Sequence, residues 1–159
     1  MAKYGRILME NVYYHVISRG NQKQDVFIQD SDFEKYLGLL KHYKRRYKFS
    51  LYAWCLMPNH VHLILEVNKP SELARVIQGL NLAYARWFNK KYNKVGHLWQ
   101  GRYKSMIIQK DKYVLDCINY IEMNPARANI KQTPLDYTWS SFRSRVLGEK
   151  LPLLDKPEL

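Results

Sequence analysis

Two apolar runs of strand length, residues 49–56 and 60–66, are separated only by Met57-Pro58-Asn59. Proline and asparagine punctuate the runs and read as a tight turn, so the middle of the chain is committed to a β-hairpin. The second arm carries His60-Val61-His62. Residues two apart on a strand share a face. The two imidazoles therefore stand side by side, while Val61, Leu63 and Leu65 continue toward the core. Two rigidly held neutral nitrogen donors suit a divalent cation with positions left open for a phosphate. The alternative is a strand whose histidines are hydrogen-bonded and inert, since two ligands alone do not make a metal site.

The rest of the chain supplies partners for that hairpin. Residues 13–19 are rich in Tyr, Val and Ile and predict a first strand ending at Gly20. Residues 31–48 predict a helix, with Ser31 and Glu34 as a capping box and Phe33, Leu37, Leu40 and Tyr43 or Tyr47 at helical spacing. Pro70-Ser71 opens a second helix, whose stripe is Leu73, Val76, Ile77, Leu80, Tyr84, Trp87 and Phe88. Residues 96–101 form a loop and 102–109 alternate as a fourth strand. Asp111 caps a third helix that ends near Asn124, because Pro125 disfavours helical geometry in the residue before it. The order strand, helix, strand, strand, helix, strand is the ferredoxin-like split βαβ plan of an α+β fold. It implies an antiparallel sheet with helices on one face and an extra helix after it. Residues 1–147 form one domain, and 148–159 form a tail expected to be poorly ordered.

Composition narrows the function. The chain has 26 Lys plus Arg against 14 Asp plus Glu, a formal charge of +12, and 13 tyrosines. Cations that track phosphates, interleaved with rings that stack on bases, are what single-stranded nucleic acid binding requires. The excess is clustered: Lys41, Lys44, Arg45, Arg46 and Lys48; Lys90, Lys91 and Lys94; and Arg102 with Lys104. No apolar run approaches the ~20 residues of a membrane span, and the N-terminus has no signal-peptide core, so the expected compartment is the cytoplasm. Cys55 and Cys117 fit neither a zinc spacing nor a disulfide framework and are expected to be small buried residues.

At ~100° per residue, Tyr113, Cys117, Tyr120 and Asn124 fall on one stripe of the third helix, beside the sheet-facing stripe of Val114, Ile118 and Ile121. A tyrosine at such a rim either packs with its hydroxyl in water or serves as a nucleophile toward phosphorus. Here the residues resemble a family. His60-Val61-His62 has the histidine-hydrophobe-histidine pattern of the HUH endonucleases, and Tyr120-Ile121-Glu122-Met123-Asn124 is similar to the tyrosine helix of their single-tyrosine transposase branch. Further matching stretches are His15 to Asn21, Leu98-Trp99-Gln100-Gly101-Arg102-Tyr103, Asn124-Pro125-Ala126-Arg127 and Tyr137-Thr138-Trp139-Ser140-Ser141. Together they span residues 13 to about 142 and resemble the REP-associated tyrosine transposases. Ala126 stands where many relatives carry Val, a difference of packing alone.

The resemblance implies that His60, His62 and Asn124 hold Mg²⁺ or Mn²⁺. It also implies that Tyr120 cleaves single-stranded, hairpin-associated DNA through a 5′-phosphotyrosine. Arg19, Asn21, Arg102 and Arg127 become candidate DNA contacts, with Lys44, Arg45 and Arg46 from the basic block. Glu122 is on another side of the helix and is assigned no chemistry. A catalytically inactive module that only binds single-stranded or hairpin nucleic acid would have the same fold. Monomer and homodimer are both compatible with the sequence.

Overall fold

In the computed structural model, residues 5, 7–148 and 153–157 are described. Strand β1 (Tyr13–Arg19) leads into helix α1 (Asp30–Tyr47), then β2 (Ser50–Met57), β3 (His60–Glu66), α2 (Glu72–Lys91) and β4 (Lys104–Ile108). Three helices follow: α3 (Tyr113–Glu122), α4 (Asn124–Arg127) and α5 (Phe142–Leu147). The strands form one antiparallel sheet in the order β2-β3-β1-β4, the split βαβ arrangement the sequence predicts.

Period-2 alternation gives the sheet two different faces. Tyr14, Val16, Trp54, Leu56, Val61, Leu63 and Leu65 point to one side and pack with Tyr36 and Leu40 of α1 and Val76, Ile77, Leu80 and Tyr84 of α2. Tyr13, Tyr52, Ala53, Ile64 and Ile108 point to the other and bury Val114, Ile118 and Ile121 of α3. The two crossover helices thus share a face as expected, and the tyrosine helix covers the opposite one. A register shift between Leu51 and Ala53 lets Tyr52 and Ala53 both join the α3 side.

Several local expectations give way to specific contacts. The α1 start is built by Asp32, whose carboxylate accepts the Ile28 and Gln29 backbone N–H groups at 2.8 and 3.0 Å. Ser31 instead accepts from Lys91 of α2 at 2.7 Å, so the Ser31–Glu34 box is not the one used. Pro125 does not end the helical path: Met123 links α3 to α4, with Pro125 in the first turn of α4, where its missing N–H is harmless. Cys117 is half-buried rather than buried, while Cys55 is fully buried.

The outer edge of β2 is covered. Leu56 donates to the Trp139 carbonyl at 2.8 Å and Ser141 to the Trp54 carbonyl at 2.9 Å, which shields an edge that would otherwise invite another strand. Toward the other end, Asp155 accepts the Leu51 N–H at 2.9 Å and the Lys44 ammonium at 2.8 Å, and Leu153 is buried. Residues 153–157 of the predicted loose tail are therefore docked; 149–152 and 158–159 lie outside the described residues.

Candidate active site

The α3 face of the sheet gathers the polar side chains. Antiparallel pairing sets Arg19 opposite His60 and Ile17 opposite His62, which places His15 diagonally from His62 on the same face. The His15 Nε2 and His62 Nδ1 atoms are 2.9 Å apart, and both rings are buried. His60 Nδ1 lies 2.7 Å from Asn59 Oδ1 in the turn, and the His60 and His62 ring centroids are 4.9 Å apart. His15 was not singled out in the sequence. Its place on the Tyr13-His15-Ile17-Arg19 face was legible, but the register that brings it to His62 was not.

The surroundings keep these rings uncharged. Burial lowers His15 to about 4. Burial and the nearby Arg19 lower His60 to about 4. Burial, with His60, His15, Arg19 and Arg127 adding their repulsion, lowers His62 to about 2. Near neutral pH all three are neutral imidazoles, the form that donates a lone pair to a cation. Cys55, which pairs with His62 across β2 and β3, has its thiol pushed up by burial and stays protonated.

The donors that could hold a metal are the His60 and His62 imidazoles; Asn124, the third residue nominated by the sequence, begins α4 directly after the tyrosine helix. This nitrogen–oxygen set without thiolate fits a divalent ion of the harder kind. Among the described residues, no group of three or more His, Cys, Asp or Glu side chains is arranged to hold a metal ion.

Tyr120 sits on the exposed rim of α3, 56% accessible. It shares a cleft of about 500 Å³ with His15, Met106, Ile108, Asp116 and Cys117. The Arg127 guanidinium covers the Tyr120 ring at 4.0 Å from its centroid and donates to the Tyr120 carbonyl at 2.5 Å. Arg127 also adds to the positive field at His62. Glu122, two residues on, is buried and engaged elsewhere. It accepts from Ser141 Oγ at 2.6 Å and from Arg145 at 3.0 Å, tying α5 to α3.

Beside His60 a basic groove opens. One hollow is lined by Arg19, Lys23, Asn59, His60 and Gln100, and the next by Arg19, Gln100, Arg102 and Lys104. Lys23 and Gln100 were not among the sequence candidates, and Lys104 entered only as part of the basic cluster with Arg102. Lys104 lies two residues from Arg102, a spacing that pointed to it. Asn21 is half-buried and its backbone N–H donates to the Leu98 carbonyl at 2.8 Å, joining the loop after β1 to the loop before β4. Lys44 and Arg45 are not brought to this site. With Lys41 and Lys48 they line a separate hollow that includes Leu153 and Asp155, by the start of β2 and far from the turn that precedes His60. Lys44 is spent on Asp155, and Arg46 lies over the Tyr47 ring at 5.3 Å.

Comparison with known proteins bears on the family and the fold. The sequence profile of a family described as "Transposase IS200 like" matches residues 8–124. A Haemophilus influenzae (strain Rd) protein, provisionally named a REP-associated tyrosine transposase, is 28% identical over 121 residues. That match covers 67% of this chain and 66% of the relative, just under two thirds of its length. The fold is similar to that of a REP-associated tyrosine transposase solved bound to a REP hairpin, with TM-score 0.76 and 18% identity over 98% of this chain and 89% of that one. It is also similar to the crystal structure of a Deinococcus radiodurans R1 protein provisionally described as a transposase, with TM-score 0.52 and 20% identity over 77% of this chain and 97% of that one. Among the described residues, no helix is long and apolar enough to cross a membrane.

Proposed function

The chain belongs to the IS200-like transposase family, and we propose that it cleaves and rejoins single-stranded, hairpin-associated DNA in the cytoplasm, with Tyr120 as nucleophile. The observation that carries this reading is the gathering of Tyr120, Arg127, His15, His62 and His60 on one sheet face, with a basic groove leading away from it. The hairpin in the solved structural neighbour supports the choice of substrate.

The phosphodiester is drawn along Arg19, Arg102 and Lys104, whose charges offset those of the backbone phosphates. The Tyr120 oxygen attacks phosphorus in line. A Tyr–O–P bond forms, the P–O3′ bond breaks, and the tyrosine proton passes to solvent or to the departing 3′-oxygen. The products are a 5′-phosphotyrosine and a free 3′-hydroxyl. The bond energy is retained, so a second 3′-hydroxyl can reverse the step and join strands without ATP. Arg127 fixes the tyrosine ring and supplies positive charge beside the phosphate. His60, His62 and Asn124 would hold Mg²⁺ or Mn²⁺, which when bound supplies charge that polarises a non-bridging phosphate oxygen.

The test is a denaturing gel of labelled single strands carrying a hairpin. A covalent adduct should form with Mg²⁺ or Mn²⁺ and vanish in Tyr120→Phe, while Tyr113→Phe retains it. An adduct that survives Tyr120→Phe would assign the chemistry elsewhere. Tight hairpin binding with no adduct under any metal would favour a pure binding module.

A further inference from the structure

A histidine binds a metal through one nitrogen, and the partner of the other nitrogen decides whether a lone pair is available. For His60 the partner is an amide oxygen, Asn59 Oδ1, at 2.7 Å. An amide oxygen only accepts, so the His60 proton resides on Nδ1 and the Nε2 lone pair is free. For His62 the partner is another imidazole, His15 Nε2, at 2.9 Å from His62 Nδ1. Two arrangements satisfy that contact. In one, His15 donates from Nε2, and the His62 proton is then left on its own Nε2, closing that nitrogen to a cation. In the other, His62 donates from Nδ1, His15 carries its proton on Nδ1, and the His62 Nε2 lone pair is free. Only the second gives His60 and His62 matching donors on the same face of β3.

We propose that His15 is a positioning residue: it accepts the His62 Nδ1 proton and, in parallel with Asn59 at His60, sets the tautomer in which both histidines offer Nε2 to a divalent cation. This rests on the metal-dependent reading above. His15 itself is excluded as a ligand through Nε2, because that atom faces His62 rather than open space. Burial of both rings, His15 at 7% and His62 at 4% accessible, keeps water from substituting for either partner.

The experiment uses the full-length protein without metal. Ring ¹⁵N spectra should show His60 and His62 as Nδ1–H tautomers and His15 likewise. In His15→Leu, which keeps the volume and removes the acceptor, the His62 signals should move toward the Nε2–H tautomer. Mn²⁺ affinity, read by the paramagnetic signal of free Mn²⁺, should fall about 10- to 100-fold. His15→Gln, whose amide oxygen reaches the Nε2 position, should restore both readouts. A His62 Nε2–H tautomer in the wild-type protein would overturn the inference, and so would unchanged Mn²⁺ affinity in a folded His15→Leu. If His15→Leu does not fold, the wild-type spectrum and the Gln variant still decide it. Failure of the wild-type protein to bind Mn²⁺ at all would strike the metal reading instead.

Discussion

Gly20→Ala should damage the site more than any other one-carbon change near it. The backbone at Gly20, φ −61° and ψ 140°, is open to any residue, so conformation is not the constraint. Space is. An added Cβ would lie 2.2 Å from the Gln24 carbonyl oxygen, 3.0 Å from Val26 Cγ1 and 3.3 Å from the Asn59 carbonyl oxygen. The worst overlap is with backbone and cannot be relieved by rotating a side chain, so one segment must yield by about 1 Å. That movement pulls on the Gly20 N–H bond to Asn59 and the Asn21 N–H bond to Leu98, both 2.8 Å. Overpacking costs about 1–3 kcal/mol and each weakened hydrogen bond up to about 1 kcal/mol, giving about 2–4 kcal/mol in all. For a chain of this size each kcal/mol lowers Tm by about 2–4 °C, so a loss of about 5–15 °C is expected by calorimetry. Asn59 and Arg19 flank the disturbed bonds, so DNA cleavage should fall further than DNA binding. Gly101→Ala is the control: its φ of +58° carries strain, but open space surrounds it, so about 1 kcal/mol is expected. A Gly20→Ala protein that melts within about 1 °C of wild type and cleaves normally would refute the steric argument.

His60→Ala and His62→Ala should each reduce cleavage to background while hairpin affinity, measured by anisotropy, stays within about threefold, because affinity comes from the cationic groove; normal cleavage by both variants would defeat the metal reading. Arg19→Ala with Arg102→Ala should weaken DNA binding and flatten its salt dependence, whereas Arg45→Ala with Arg46→Ala should do so much less, since that block lies at another end of the molecule. With some six phosphate contacts, wild-type affinity should fall about a thousandfold between ~50 and ~200 mM salt. Asp32 yields a pH prediction. Burial alone would raise its carboxyl, but Lys91, the Tyr92 hydroxyl and the Gln29 and Ile28 N–H groups outweigh that and hold it below the ordinary range. A depressed folded value means a contribution that is complete above the unfolded carboxyl's range and lost as pH falls through the folded value. Asp32→Asn should therefore be less stable than wild type in urea at about pH 7, with the difference shrinking only as pH falls below the ordinary carboxyl range; a constant gap would show that the charge is not what stabilises α1.

What the sequence determined by itself was local. Alternation over residues 13–19 and 60–66 predicted β1 and β3, and placed His60 beside His62. Helical spacing likewise separated the buried Val114, Ile118 and Ile121 from the rim that carries Tyr120. Backbone period and side-chain direction are set within a few residues, so such features survive whatever the rest of the chain does. Pairings across the fold were decided only by tertiary structure. The β1–β3 register joins His15 to His62 across a sequence separation of 47. The return of α3 to the sheet face opposite α1 and α2 puts Tyr120 and Arg127 on the histidine side. The ion pair of Lys44 and the true α1 cap were not legible for the same reason. The partners of Lys44 and Ser31, Asp155 and Lys91, lie in other elements, and side chains choose among competing partners only after packing has brought them together.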